Sequence, residues 1–137
     1  MNKHQKGTIS ELLATIYFVS EGYIVSKPIT DFNEYDLIVD KNGLQRVQVK
    51  TIYFDNSKQR YMISCVTSHI KGNQKRVNKK YNENSFDILC AIEPITSSIY
   101  LIPIEEVKGR RAITLYPKGK QNKSNTRYND FEKYKVK

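Results

Sequence analysis

The chain has 137 residues, with 23 Lys and Arg against 14 Asp and Glu and hence a formal charge of +9, a mass of 16.0 kDa and a pI of about 9.5. A chain this long buries roughly two-thirds of the surface its unfolded form exposes, so one core is expected over 1–137 without disulfides or a structural metal, and two linked catalytic domains are excluded. No run approaches the ~20 apolar residues of a membrane-spanning helix, and the opening MNKHQKGTIS carries no apolar signal stretch. The expectation is therefore an intracellular, cytoplasmic protein (organellar if the host is eukaryotic) with no membrane partner.

Residues 8–21, TISELLATIYFVSE, place Ile9, Leu12, Leu13, Ile16 and Tyr17 at helix spacing. Thr8 with Glu11 three residues later forms a capping box, and Gly22 suits the left-handed position past the end. At 100° per residue Glu11 falls on a second face, shared with Ala14 and Phe18. Short runs rich in Val, Ile and Tyr follow at 23–28, 35–40, 44–54 and 61–67 and read as strands. Asn42-Gly43 and Asp55-Asn56-Ser57 mark turns between the last three, which predicts a three-stranded antiparallel meander. FDILCAIEP at 86–94 and SIYLIPI at 98–104 predict another hairpin, the first strand apolar enough to be covered on both faces.

Between these halves SHIKGNQKRVNKKYNENS carries Lys71, Lys75, Arg76, Lys79 and Lys80 with no acid until Glu83, and reads as a polar basic loop. A second basic segment starts at about residue 108: Lys108, Arg110, Arg111, Lys118, Lys120, Lys123 and Arg127 with no carboxylate, interrupted only by AITLY. The charge surplus favours a polyanion, and nucleic acid over a membrane surface, because no stretch joins a basic face to a long apolar one. Cys65 and Cys90 sit in apolar runs without metal-ligand spacing and read as buried thiols, which argues against zinc. His4 and His69 have no partner that would mark a nucleophile–base pair.

The chemistry concentrates in Asp36, in YDLIVD, and Gln48-Val49-Lys50, in RVQVKT. Strand alternation puts Gln48 and Lys50 on one face and Val49 on the other. Phosphodiester hydrolysis near neutral pH calls for a divalent ion, oxygen ligands to hold it, and a cation near the nucleophile or the developing charge. Asp36 offers a carboxylate, Gln48 an amide oxygen, Val49 its carbonyl, Lys50 an ammonium, and Glu11 a second carboxylate from the helix.

A helix with Glu11, a strand begun by Asp36, a Gly-containing hairpin and then Gln48-Val49-Lys50 resembles, in that order, the PD-(D/E)XK nuclease superfamily, which includes type II restriction enzymes and archaeal Holliday-junction resolvases. Within it, KGTISELLATIYFVSEGYIVSKPI, YDLIVD, RVQVKT and FDILCAIEP with YLIPIEEV look like the small endonucleases associated with group I introns. The resemblance implies an α/β (α+β) restriction-endonuclease-like fold, a central mixed β-sheet flanked by helices. It implies a site-specific, intron-homing DNA endonuclease using Mg2+, or Mn2+ in its place. Asp36 would bind the metal, Lys50 would position or activate the attacking water, and Glu11 would help hold the metal or orient the site. Cutting both strands of double-stranded DNA takes two active sites, so a homodimer or homotetramer is expected. Lys71, Lys75, Arg76, Lys79, Lys80, Arg110 and Arg111 are the expected DNA contacts.

The family formula has Asp or Glu where this chain has Gln48. The amide still ligates Mg2+, but it attracts the ion less and cannot act as a base, so weaker metal binding is expected. A plain two-residue turn at Asn42-Gly43 would set Asp36 against Val49, on the wrong face. A three-residue or bulged turn would instead set it against Lys50, with Gln48 diagonal to it. The site therefore predicts the longer turn. Blander readings stand beside these: Glu11 as a helix cap, Asp36 as a turn residue, Lys50 as an edge-strand cation, Gln48 as an outward polar residue, and the basic loop as a solvated face. Two other functions fit the same residues, a structure-selective Holliday-junction resolvase and a non-catalytic DNA-binding protein on a nuclease-like scaffold.

Overall fold

A computed structural model of the chain describes residues 1–70, 76–116 and 130–136. In chain order the elements are helix α1 (Lys3–Ser20), strands β1 (Ile24–Ser26), β2 (Leu37–Asp40), β3 (Leu44–Thr51), β4 (Tyr53–Asp55), β5 (Arg60–Ser64), β6 (Val66–Ile70), β7 (Arg76–Lys80), β8 (Ile88–Glu93) and β9 (Ser98–Pro103), the one-turn helix α2 (Ile104–Val107), strand β10 (Ala112–Leu115), a 3-10 turn (Asp130–Tyr134) and strand β11 (Lys135–Val136). A six-stranded sheet runs β1-β2-β3-β8-β9-β11, a smaller one runs β10-β5-β4, and β6 and β7 form a separate hairpin. The large sheet is mixed, because β3 and β8 pair in parallel while its other pairs are antiparallel. This is the mixed α+β architecture the sequence implies.

Helix α1 starts earlier than its apolar spacing suggests. The Asn2 side chain accepts the Gln5 N–H and the Gln5 side chain accepts the Asn2 N–H, both at 2.8 Å, so the capping box is Asn2/Gln5 and not Thr8/Glu11. The end falls where expected. Gly22 takes φ +89°, its N–H reaches the Val19 carbonyl, the Tyr23 N–H reaches that of Phe18, and the Tyr23 ring packs edge-on against Phe18 at 5.1 Å.

The buried face of α1 also differs from the expected stripe. Ser10, Ala14 and Phe18 are buried and Leu13 and Tyr17 partly so, whereas Leu12, Ile16 and Val19 are 57%, 60% and 57% exposed. The reason is close approach: small residues let the helix settle on β3, where the Ser10 and Thr51 hydroxyls meet at 2.8 Å. Apolar periodicity follows bulk, and this contact selects smallness.

The predicted meander is also corrected. Strand β3 has β2 on one edge and β8 on the other, so no edge remains for the strand that follows. The chain breaks at Ile52, whose N–H bonds the Ile92 carbonyl and whose side chain is buried, and β4 turns away to pair with β5 in the small sheet. AITLY in the basic tail supplies β10, the other neighbour of β5. Within the expected polar basic loop, 68–70 and 76–80 belong to the β6–β7 pair, which runs from Val66 opposite Lys80 to Ile70 opposite Arg76, while 71–75 lie outside the described residues. The cations and amides of β7 hide a strand pair behind a loop-like composition.

Strand β8 is buried on both faces, as FDILCAI predicts. Cys90 and Ile92 join Ala14, Phe18, Val47 and Val49 beneath α1, and Leu89 and Ala91 join Ile63, Phe86, Ile102 and Ile113 beneath the small sheet. Both cysteines are free and buried, and burial pushes their thiols up to about 11 for Cys65 and about 12 for Cys90. They are protonated packing residues at neutral pH.

Candidate active site

Strands β2 and β3 join through three residues, Lys41-Asn42-Gly43, with Asn42 at φ +72° and Gly43 at φ +141°. Asp40 Oδ1 accepts the Gly43 N–H at 3.2 Å and tightens the turn. A turn of this length puts Asp36 on the same face as Gln48 and Lys50, as the site requires. The register differs from expectation: Leu37 pairs with Val47 and Asp40 with Leu44, which is not the register that sets Asp36 opposite Lys50, and the pairing ends at Leu37.

Asp36 is fixed by its own backbone and by its carboxylate. Its N–H donates to the Val47 carbonyl at 2.8 Å, and its Oδ2 accepts the Val49 N–H at 2.9 Å. In an extended strand the N–H and C=O of one residue project to the same edge. The Val49 carbonyl therefore projects toward the edge where the Asp36 carboxylate stands, while the Val49 side chain is buried under α1. Burial raises the Asp36 carboxyl above its ordinary value. The Val49 hydrogen bond opposes that rise, the charge of Glu11 adds to it, and Lys50 and Lys27 oppose it.

Lys50 is largely buried on the same face. Its Nζ donates to the Val66 carbonyl at 3.1 Å and stands 5.5 Å from the centre of the Tyr81 ring. Burial lowers its ammonium below the usual lysine value, with Asp36 pulling the other way. Glu11 reaches this neighbourhood from α1, where Lys27 Nζ lies 3.6 Å from its Oε1. Spacing in the sequence missed Lys27 and Tyr81. Lys27 follows β1 without any motif, and Tyr81 meets Lys50 only because the β6–β7 hairpin brings the two together.

The oxygen donors the sequence names are the carboxylates of Asp36 and Glu11, the Gln48 amide and the Val49 carbonyl, and the charges of Asp36, Glu11 and Lys50 lie close enough to act on one another. Such a set suits a hard divalent cation. Among the described residues no group of three or more His, Cys, Asp or Glu is placed to hold a metal. The two carboxylates are balanced by two ammonium groups, Lys50 and Lys27, so an incoming cation meets a weaker field than three acids would give it.

The expected DNA contacts divide. Lys79 and Lys80 are exposed on β7, whose first residue is Arg76. Arg110 is engaged within the protein, its Nε donating to the Glu106 carbonyl at 2.7 Å and its guanidinium lying 5.2 Å from the Phe131 ring. Arg111 is exposed, and its carbonyl accepts the Cys65 N–H at 2.9 Å. Lys108 pairs with Glu105 at 2.6 Å. Lys71, Lys75, Lys118, Lys120, Lys123 and Arg127 lie outside the described residues.

A family model described as PD-(D/E)XK endonuclease matches residues 1–137. Among solved structures, the bacterial homing endonuclease I-Ssp6803I is similar, with a TM-score of 0.78 and 25% sequence identity over 90% of this chain and 84% of that one. No curated protein matches.

Proposed function

The chain belongs to the PD-(D/E)XK endonuclease family, and on that premise we propose a Mg2+-dependent, site-specific DNA endonuclease of the intron-homing type, with Glu11, Asp36, Gln48, Val49 and Lys50 as its site. One relationship carries the assignment: the Asp36 carboxylate is bonded to the Val49 peptide, and Lys50 is on the same strand face. The homing type rests on the likeness to I-Ssp6803I, a bacterial homing endonuclease. We read residues 1–137 as one nuclease domain with a basic C-terminal segment. Among the described residues no helix is long and apolar enough to cross a membrane, and an intracellular setting is proposed.

The oxygen donors of Asp36, Glu11, Gln48 and the Val49 carbonyl would hold the cation. Mg2+, or Mn2+ in its place, supplies polarisation of the phosphate and a lowered pKa for a bound water. The chain's own residues do the rest. The Val49 N–H fixes the orientation of Asp36, and Lys50 holds a positive charge beside the water and the charge that develops on the phosphate. The Ser10–Thr51 hydroxyl pair ties α1, and with it Glu11, to the strand that carries Lys50.

The β6–β7 hairpin, with Arg76, Lys79, Lys80 and the neighbouring Lys71 and Lys75, is the proposed contact with the phosphates of double-stranded DNA, joined by Arg111 and, once freed from Phe131, Arg110. A homodimer or homotetramer would supply the second active site, and the exposed Leu12, Ile16 and Val19 on α1 support such an assembly.

The test is nicking and linearisation of a plasmid library with Mg2+, with EDTA, and with Lys50→Ala or Asp36→Ala. Discrete metal-dependent cuts lost in both variants are the expected result. Cuts confined to branched substrates would point to a resolvase. Tight binding without turnover would make Gln48 the trace of a lost site.

A further inference from the structure

The ammonium of Lys50 is held by the two residues at the foot of the β6–β7 hairpin. Val66 is the first residue of β6 and pairs with Lys80, the last of β7. Tyr81 follows at once. The hairpin therefore opens with the carbonyl that accepts from Lys50 Nζ at 3.1 Å and closes onto the ring that lies under that nitrogen at 5.5 Å. The ring is itself fixed. Tyr81 is 3% exposed, packs edge-on against the buried Phe86 at 4.8 Å, and has its carbonyl bonded to the Gly109 N–H at 3.1 Å.

A cation over an aromatic face is attracted by the ring's quadrupole, most strongly where water is excluded. Lys50 has a four-carbon stem with many rotamers, so a carbonyl on one side and a ring face on the other restrict where its charge can stand. The exposed Lys79 and Lys80 are on β7, directly before Tyr81. Contact of the hairpin with a polyanion would be felt first at the foot that holds the lysine.

We infer that the Val66 carbonyl and the Tyr81 ring form the seat of the Lys50 ammonium, and that Tyr81 is a positioning residue through which the β6–β7 hairpin sets the place of that charge. The inference rests on the reading of Lys50 as the cation of phosphodiester cleavage, but the seat itself can be tested without cleavage.

Nuclei over an aromatic face resonate upfield, so in protein labelled at the lysine ε-carbons the Lys50 ε-methylene, identified by its loss in Lys50→Arg, stands upfield of the other lysines. Tyr81→Leu returns it to their range, and Tyr81→Phe keeps it shifted. An unmoved resonance in Tyr81→Leu would overturn the seat. Phenylalanines carrying one, two or three ring fluorines at position 81 keep the volume while weakening the face, which guards against a Leu variant that does not fold. Across that series the single-turnover cleavage rate falls stepwise by roughly tenfold in all, the size of a desolvated cation–π contact, with DNA affinity unchanged. A rate indifferent to fluorination, or an equal loss in Tyr81→Phe and Tyr81→Leu, would overturn the positioning role. If the wild-type protein cuts nothing, the nuclease reading fails, and the methylene shift still decides the seat.

Discussion

The Val49 N–H points into the Asp36 carboxylate at 2.9 Å. A single residue of β3 thus anchors the acid just before β2 and directs its own carbonyl to the same edge, so backbone geometry sets where the carboxylate is held relative to that carbonyl.

Lys50→Ala and Asp36→Ala should each reduce metal-dependent cleavage by about 10²-fold or more, the scale on which a single preorganised electrostatic group acts in a transition state. Single-turnover assays on a cleavable plasmid check this, with DNA affinity measured in parallel. A loss of affinity that matched the loss of rate would move Lys50 from chemistry to binding.

Gln48→Glu restores a third carboxylate. Adding a full negative charge within a few ångströms of the cation should lower the metal concentration needed for half-maximal cleavage by at least about tenfold. Titration with Mg2+ at fixed DNA decides it.

In metal-free protein Asp36 keeps its proton to a higher pH than it does unfolded, because burial raises its carboxyl. Stability contributed by this group is thus present below the unfolded value, falls as pH rises toward the folded one, and stays lost above it. Asp36→Asn should therefore melt higher than wild type in chelator at neutral pH, and the advantage should vanish on acidification. Melting curves at a series of pH values in EDTA test the sign, and added Mg2+ should raise the wild type alone.

Lys79→Ala with Lys80→Ala should weaken DNA binding and flatten its salt dependence. Each phosphate that is no longer neutralised takes about 0.9 from the slope of log affinity against log salt. An unchanged slope would place the DNA elsewhere than on the hairpin.

Leu12→Glu with Ile16→Glu should bring the solution mass down to the 16.0 kDa of one chain, as measured by light scattering, and turn double-strand cuts into nicks. If the wild type already has that mass, the α1 stripe is not an interface.

Local chemistry is legible in the sequence. Gly22 ends α1, a three-residue turn puts Asp36 on the Lys50 face, and FDILCAI is covered on both sides. What stays hidden depends on distant partners. Ser10 and Ala14 look unexceptional until Thr51 shows how closely the helix approaches, the break at Ile52 follows from β8 already occupying the far edge of β3, and Tyr81 has no spacing relation to Lys50 at all. The register is not the one the longer turn suggests, because the turn residues are 41–43 and the pairing moves with them, setting Leu37 against Val47.

The parallel pairing of β3 with β8 has a consequence for how the protein assembles. The β2–β3 hairpin is a neighbour contact and closes on the microsecond scale typical of hairpins, whereas β8 is separated from β3 by the chain that forms β4 to β7, a long-range parallel pairing of the kind that forms slowly. Until that pairing forms, β3, which carries Lys50, has an open edge, the state from which chains associate wrongly. A fragment that stops before Ile88 would contain Asp36, Gln48 and Lys50 and leave that edge of β3 bare.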